Sequence, residues 1–176
     1  EMKKILGQNF RILNHKLVMG VPESYLPEWI KLLIKNNTSN NLGKYIKPKY
    51  RDITYFKGLD FHQDIIDYPS RTADFITVYI YLDDVGVNSS PLYVIPNSHK
   101  LGATTFPHEL IINNKSKKVL YKNKSKKIKS KIYRLDGKAG STSYWHPFIL
   151  HGTQPHKDSK PRISVRLLVE KNRWCS

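Results

Sequence analysis

The sequence predicts a mainly β protein, either a sandwich or a barrel built from short strands. Several segments rich in β-branched and aromatic residues are separated by turn residues. Residues 74–83 (DFITVYIYLD) are the clearest strand, because they contain no Gly or Pro. No repeat with a period of about 20 to 50 residues is visible, which argues against a solenoid or propeller. The 176 residues fit one domain, so we expect a single domain over 1–176.

The N-terminal part predicts one strand, one helix and a loop. Residues 5–19 alternate in part between apolar and polar, which predicts a strand with an irregularity near Leu13 and Asn14. Residues 27–35 (PEWIKLLIK) favour a short helix with Pro27 in its first turn, and a strand is the alternative. The polar segment at about 36–57 contains glycine and proline and is predicted to be a loop.

The remaining strands follow the clearest one. Residues 74–83 are apolar at both parities, which indicates cover on both faces of the sheet. Residues 91–95 predict a short strand that ends at Pro96 and Asn97. Two further short segments follow at 139–145 and 147–151, and residues 162–170 (RISVRLLVE) form the last predicted strand.

A lysine-rich insert lies at about 113–131. Residues 115–131 contain nine lysines in 17 positions, a composition typical of a solvated, mobile loop or of an extended hairpin. We favour the mobile loop over an anion-binding arm, because only Val119, Leu120, Tyr121 and Ile128 could anchor the segment.

The charge is strongly basic, but its composition weakens the link to nucleic acid. The net charge is +16 with a pI near 9.8, and 23 lysines stand against seven arginines. Proteins that recognise base edges depend on arginine forks, whereas Lys, Asn and Ile together fit a compositional bias. Tyr121 is the single aromatic residue within 115–131, and no helix-turn-helix pattern appears. A nucleic-acid-binding module is therefore an alternative, and nucleic acid is not the expected partner.

The cysteine count and the hydropathy limit the cellular locations to expect. Cys175 is the single cysteine, which excludes a disulfide within the chain and a cysteine-based zinc site. No apolar stretch reaches the ~18 residues that a membrane-spanning helix needs. The N-terminus has no apolar signal core. We expect a cytoplasmic protein without a membrane span.

The pair His62 and Asp64 is the first candidate for metal chemistry. Side chains at i and i+2 of an extended strand point to one face, so this imidazole and carboxylate can meet at one point. They would supply two ligands of the two-histidine, one-carboxylate triad of non-haem Fe(II). His151 offers the third, since it follows an apolar run and precedes Gly152. The alternatives are a solvated His–Asp pair and a core histidine bonded to a backbone carbonyl.

Arg162 is a candidate anion partner. It follows His151 by eleven residues, and the turn-forming residues between them should reverse the chain. Alternation then places Arg162, Ser164 and Arg166 on one face of the last strand. A buried arginine is costly unless an anion meets it, and a carboxylate-bearing cosubstrate would do so bidentately. A nearby aspartate, or a place at the solvent edge, is the alternative.

The order of these segments resembles the phytanoyl-CoA dioxygenase family. The resemblance rests on His62-x-Asp64, then Ser90-Pro91-Leu92-Tyr93-Val94-Ile95-Pro96-Asn97-Ser98-His99-Lys100, then Gly140-Ser141-Thr142 before Trp145-His146, then His151-Gly152, then Arg162. Ser90 and Asn97 replace two glycines of the family pattern. The match covers residues 5–14 weakly and 58–170 well.

The resemblance implies a fold and a set of roles. The implied fold is a double-stranded β-helix, a jelly-roll, cupin-like barrel with a few short helices. The implied iron ligands are His62, Asp64 and His151. By position, Arg162 would hold the distal carboxylate of 2-oxoglutarate, Thr77 would donate its hydroxyl to the same carboxylate, and Asn14 would contact the inner end of the cosubstrate. Trp145 and Tyr79 are assigned to core packing.

The resemblance also implies an activity. It is that of an Fe(II)- and 2-oxoglutarate-dependent dioxygenase, which uses O2 to hydroxylate a small organic substrate and releases succinate and CO2. A carboxylate at Asp64 favours hydroxylation over halogenation, since related halogenases carry a small residue there. The lysine excess adds the hypothesis of an anionic substrate. A cupin-like metal protein that is inactive or acts differently is the second alternative, beside the nucleic-acid module.

Overall fold

A computed structural model describes residues 2–34, 61–67, 74–104, 108–154 and 156–171. The predicted polar loop at about 36–57 lies outside these residues. The helices are α1 (Met2–Leu6) and α2 (Glu28–Ile34), with 3-10 turns at Glu23–Tyr25, Asp64–Asp67 and Ser98–Leu101. The strands are β1 (Phe10–Gly20), β2 (Phe75–Tyr81), β3 (Leu92–Ile95), β4 (Glu109–Asn113), β5 (Lys118–Asn123), β6 (Lys126–Lys131), β7 (Tyr133–Leu135), β8 (Thr142–Trp145), β9 (Leu150–Thr153) and β10 (Arg162–Lys171).

The N-terminal segment differs from its prediction at one end. The strand expected over 5–19 begins only at Phe10, because Met2–Leu6 forms a helical turn. Gly7 ends that helix with φ +86°, and its N–H bonds the carbonyl of Lys3 at 3.0 Å. The predicted irregularity is confirmed, since the register of β1 against β10 shifts between Ile12 and Asn14. The predicted short helix after Pro27 is confirmed as α2.

Two antiparallel sheets form the barrel. The first has the strand order β1-β10-β2-β8, and the second has the order β7-β3-β9. Their facing sides share a core that contains Tyr79 and Tyr81 of β2, Leu92 of β3 and Trp145 of β8. This architecture, mainly β with few short helices, agrees with the predicted double-stranded β-helix. No helix of the described ranges is long and apolar enough to cross a membrane.

The lysine-rich insert forms an ordered sheet, so the expectation of a mobile loop was wrong. Strands β4, β5 and β6 pair in that order, and the alternative of an extended hairpin is correct. Val119 and Tyr121 point inward and are almost fully buried against Ile95 and Leu150 of the second sheet. Burying such side chains contributes about 1.5–3 kcal/mol each, whereas exposed like charges cost about 0.2–1 kcal/mol per pair. Burial therefore outweighs the repulsion between lysines.

His108 lies beside the buried end of this sheet and should make folding sensitive to acid. Its Nδ1 is 2.6 Å from the hydroxyl oxygen of Thr104, which is 2.5 Å from that of Tyr121. Burial lowers the pKa of His108 to about 4, from 6.5 for an ordinary histidine. The unfolded chain then binds the proton more readily, so the free energy of unfolding falls as the pH drops from 6.5 towards 4.

We expect His108→Gln to lose less stability than the wild type between pH 7 and pH 5, measured by denaturant unfolding. Glutamine does not titrate and can still bond Thr104. The control is His15→Gln, a change at an exposed histidine of β1. An equal loss of stability in His108→Gln and wild type would contradict the assignment.

Candidate metal centre

His62 and His151 are clamped together by their backbones. They form an isolated antiparallel bridge, in which the N–H of each bonds the carbonyl of the other at 2.9 and 3.1 Å. Their rings consequently lie with centroids 4.3 Å apart. Asp64, two residues after His62, is directed to the same point. One donor atom from each of the three residues lies within 4.8 Å of the others.

A second hydrogen bond orients the ring of His151. Its Nδ1 lies 3.0 Å from the carbonyl oxygen of Ile149. A carbonyl can only accept, so Nδ1 donates and the neutral ring keeps its lone pair on Nε2. That Nε2 is 3.6 Å from Oδ1 of Asp64. The imidazole is thus held in the tautomer and orientation that metal-binding histidines adopt.

The two carboxylate oxygens of Asp64 make different contacts. Oδ2 accepts hydrogen bonds from the hydroxyl of Thr77 at 2.6 Å and from the indole N–H of Trp145 at 2.9 Å. Oδ1 faces His151 and also lies 2.6 Å from Nη2 of Arg166. Oδ2 is therefore anchored, and Oδ1 is the oxygen left to bind a metal.

The surroundings keep Asp64 ionised. Burial alone would raise the pKa of this carboxyl group, since the side chain is almost fully enclosed. The interactions with His151, Arg166 and His62 and the hydrogen bond from the hydroxyl of Thr77 outweigh burial and hold the pKa well below its usual range. Two imidazoles and one ionised carboxylate are the ligand set of non-haem Fe(II), so the residues fit this metal.

The environment of Asp64 contains two residues that sequence analysis did not assign to the site. Alternation places Arg166 on the same face of the last strand as Arg162, but it does not predict the ion pair with Asp64. Trp145 was assigned to core packing, and it does pack in the core besides donating to Asp64. The signal for Arg166 was the alternation of β10. Nothing in the sequence near Trp145 indicated its hydrogen bond.

Arg162 is buried at the other end of the same strand face and donates to neutral oxygens. Four of its five N–H groups are used, on the carbonyls of Ser89 and Ser90 and the hydroxyls of Tyr79 and Ser164. No carboxylate within the described ranges forms an ion pair with it. Both hydroxyls accept from the guanidinium, so each keeps its own proton to donate to a further partner.

Gly20 leaves a small space beside Nη2 and Nε of Arg162. A Cβ at Gly20 would lie 3.3 Å from Nη2 of Arg162 and 3.1 Å from Nδ1 of His156. That Nδ1 is buried and has no hydrogen-bond partner in the described part of the chain. Its ring is fixed by Nε2, which lies 2.8 Å from the carbonyl oxygen of Lys160. An anion would relieve the unmatched buried charge of Arg162.

The structure brings most of the predicted site residues together around the metal centre, but Asn14 lies apart from them. The metal triad is assembled, with Thr77 bonded to its carboxylate, and Arg162 lies four residues before Arg166 on the same face. Asn14 is exposed on β1 and lies opposite Leu168 of β10. Strand β10 lies between β1 and β2, the strand that carries Thr77. The contacts of Thr77, Arg162 and Asn14 with a cosubstrate stay predictions.

The family model of phytanoyl-CoA dioxygenase (PhyH) matches residues 22–164, which is most of the chain. The chain belongs to this family. The matched range contains the triad and Arg162, whereas Arg166 lies just beyond it. No curated protein is significantly similar to the chain in sequence.

Solved structures agree with this family's fold. The non-heme alpha ketoglutarate dependent epimerase SnoN from nogalamycin biosynthesis is 13% identical, with a TM-score of 0.62 over 96% of this chain and 52% of that one. The apo non-heme monooxygenase ThoJ is 15% identical, with a TM-score of 0.61 over 98% of this chain and 50% of that one.

EctD from S. alaskensis, solved with 2-oxoglutarate and 5-hydroxyectoine, is 12% identical, with a TM-score of 0.55 over 96% of this chain and 46% of that one. At these identities the likeness establishes the fold. The chain spans about half the length of the structures that it matches.

Proposed function

We propose that this member of the phytanoyl-CoA dioxygenase family is an Fe(II)- and 2-oxoglutarate-dependent dioxygenase. It would hydroxylate a small organic substrate and convert 2-oxoglutarate and O2 to succinate and CO2. The observation that carries the proposal is the convergence of His62, Asp64 and His151 within 4.8 Å in a chain of this family. Bound iron would supply oxygen activation, with 2-oxoglutarate as the source of electrons.

The protein's own groups would prepare this chemistry by orientation. The backbone bridge fixes the two imidazoles, and Thr77 and Trp145 fix the carboxylate. Because Oδ2 is bonded to both of these donors, Oδ1 alone can turn towards the metal. Arg166 shares that oxygen, so its charge would also face any anion that approaches the centre.

Arg162 would bind the distal carboxylate of 2-oxoglutarate together with two hydroxyls. Its free N–H, the phenol of Tyr79 and the hydroxyl of Ser164 are three donors at one buried cation. A carboxylate there would be paired and hydrogen-bonded, the condition under which burial of charge is tolerated. On this proposal Tyr79 is a binding residue besides its packing role.

Substrate would enter beside Trp145. A cavity of about 460 Å³ is lined by Trp145, Val94, Leu135 and Ile149, and its size suits a small organic molecule. Trp145 lines this cavity, and its indole N–H also supports the carboxylate of Asp64. This shared residue would place a substrate carbon next to the metal centre. The cytoplasmic location stays a prediction.

The proposal is tested by adding Fe(II) and 2-oxoglutarate to the metal-free chain. We expect both to bind, with the visible charge-transfer absorption typical of their chelate, and slow succinate formation once O2 is admitted. Iron binding without any succinate would favour an inactive cupin-like metal protein. A chain that binds neither iron nor 2-oxoglutarate would contradict the proposal altogether.

A further inference from the structure

Two adjoining cavities extend from Trp145, which bonds the carboxylate of Asp64, to the lysine-rich sheet. The cavity beside Trp145 shares Val94, Pro96 and Leu135 with a larger one of about 1180 Å³. The larger cavity continues past Tyr133 to Lys118, Lys129 and Lys131. We call the two together the trough. It connects the wall of the candidate active site with the outer face of the three-stranded sheet.

That outer face carries lysines in register. Since alternate residues of a strand share a face, Lys118, Lys122, Lys127, Lys129 and Lys131 lie together, opposite the buried Val119 and Tyr121. Lys118 is paired directly with Lys131 across the strands. Like charges in this position repel each other.

Among the described residues, the three lysines that line the trough have no acidic partner. Lys122 pairs with Glu109 at 3.4 Å, but no carboxylate among the residues with described positions pairs with Lys118, Lys129 or Lys131. An anion bound between them would relieve the repulsion. The arrangement is therefore complementary to a negatively charged group.

Exposed apolar side chains also line the trough. Ile111 and Tyr133 line the trough and are 57% and 54% exposed, so they present apolar surface to solvent. Tyr133 and Leu135 share the inward face of β7. Lys131, the last residue of β6, lies two residues before Tyr133 and four residues before Leu135. At about 3.3 Å per residue, Lys131 lies roughly 13 Å along the chain from Leu135.

From these observations we propose that the substrate is an elongated amphipathic anion. Its apolar body would lie along Leu135 and Tyr133, and its phosphate or carboxylate end would meet Lys118, Lys129 and Lys131. A compact solute would not span the distance between the lysines and Trp145. This inference rests on the proposed oxygenase function, because it assumes that the reacting carbon lies beside the triad.

The test uses decyl phosphate below its micelle concentration, with decanol and inorganic phosphate as partial probes. Binding is measured on the metal-free full chain, so it does not depend on iron. We expect decyl phosphate to bind at least about tenfold more tightly than either partial probe, a difference of ~1.4 kcal/mol. We also expect its affinity to fall as the salt concentration rises.

The decisive comparison is between two triple variants of equal charge. Lys118→Gln/Lys129→Gln/Lys131→Gln removes the lysines of the trough and should weaken decyl phosphate binding about tenfold. Lys124→Gln/Lys126→Gln/Lys127→Gln changes the same hairpin outside the trough and should stay within about twofold of the wild type. Equal affinities of the two variants, or decanol or inorganic phosphate binding as tightly as decyl phosphate, would overturn the proposal.

Two further measurements separate the remaining explanations. A single-stranded oligonucleotide that binds more tightly than decyl phosphate, and is lost in the first triple variant, would overturn the proposal in favour of a nucleic-acid surface. Succinate formation from Fe(II) and 2-oxoglutarate without added probe reports the oxygenase function by itself. If the wild type forms no succinate, the oxygenase function is contradicted. The affinities for the probes are independent of that result, and they alone decide whether the trough binds an amphipathic anion.

Discussion

Asp64→Ala should abolish iron binding and the turnover of 2-oxoglutarate. Oδ1 is the single anionic donor of the triad, and the other two ligands are neutral imidazoles. We expect iron affinity to fall by more than about 100-fold, since the loss of an outer partner alone can cost 10–100-fold. Iron binding is measured by competition with a chromogenic chelator, and turnover as succinate formed.

The same substitution should also destabilise the fold, which needs a separate control. It leaves Arg166 buried without its carboxylate, and breaking a buried ion pair in this way costs about 3–5 kcal/mol. Adding Arg166→Met removes the second charge and should restore much of the stability without restoring iron binding. Asp84→Ala, at an exposed carboxylate paired with Lys138, controls for surface charge. Wild-type iron affinity in the stable double variant would exclude Asp64 as a ligand.

Arg162→Lys should raise the KM for 2-oxoglutarate by about 100-fold while the charge is kept. Lysine has a compact charge without the planar guanidinium fork. It therefore cannot donate to the four oxygens that Arg162 bonds and to a carboxylate at the same time. The acceptors left unpaired should lower the free energy of unfolding by about 3 kcal/mol. Steady-state kinetics and denaturant unfolding measure the two effects.

Two companion variants decide which group anchors the cosubstrate. Tyr79→Phe removes one hydroxyl from the proposed carboxylate site and should raise the KM for 2-oxoglutarate about tenfold with little loss of stability. Arg166→Lys tests the other buried guanidinium. If Arg166→Lys raises this KM and Arg162→Lys does not, the distal carboxylate is bound by Arg166 and the assignment of Arg162 is wrong.

The strands of the barrel could be predicted because their local patterns and their environment agree. Residues 74–83 are apolar at both parities, and β2 is covered on both faces as this pattern indicates. The lysine-rich segment was mispredicted because its lysine content was given more weight than the spacing of its apolar residues. Val119 and Tyr121 are two residues apart, the spacing that directs side chains to one face of a strand, but nine lysines suggested solvation.

The site was predictable where spacing along the chain determines geometry. His62 and Asp64 are two residues apart, so their convergence follows from strand geometry, and His151 was found from its apolar context. The indole of Trp145 reaches Asp64 across the barrel. Such a contact depends on how two sheets face each other, which no local pattern contains. Alternation predicted that Arg166 shares a strand face with Arg162, but it does not identify the carboxylate that Arg166 meets.

The backbone bridge between His62 and His151 has a consequence for the order of folding. The two histidines are far apart in sequence, so their donors converge only after the segment 61–67 has docked against β9. Such long-range closures form late, because the entropy of the intervening loop must be lost first. A partly folded chain would hold no assembled metal site. Metal uptake would therefore report that the barrel has closed, and the bound ion would slow its reopening.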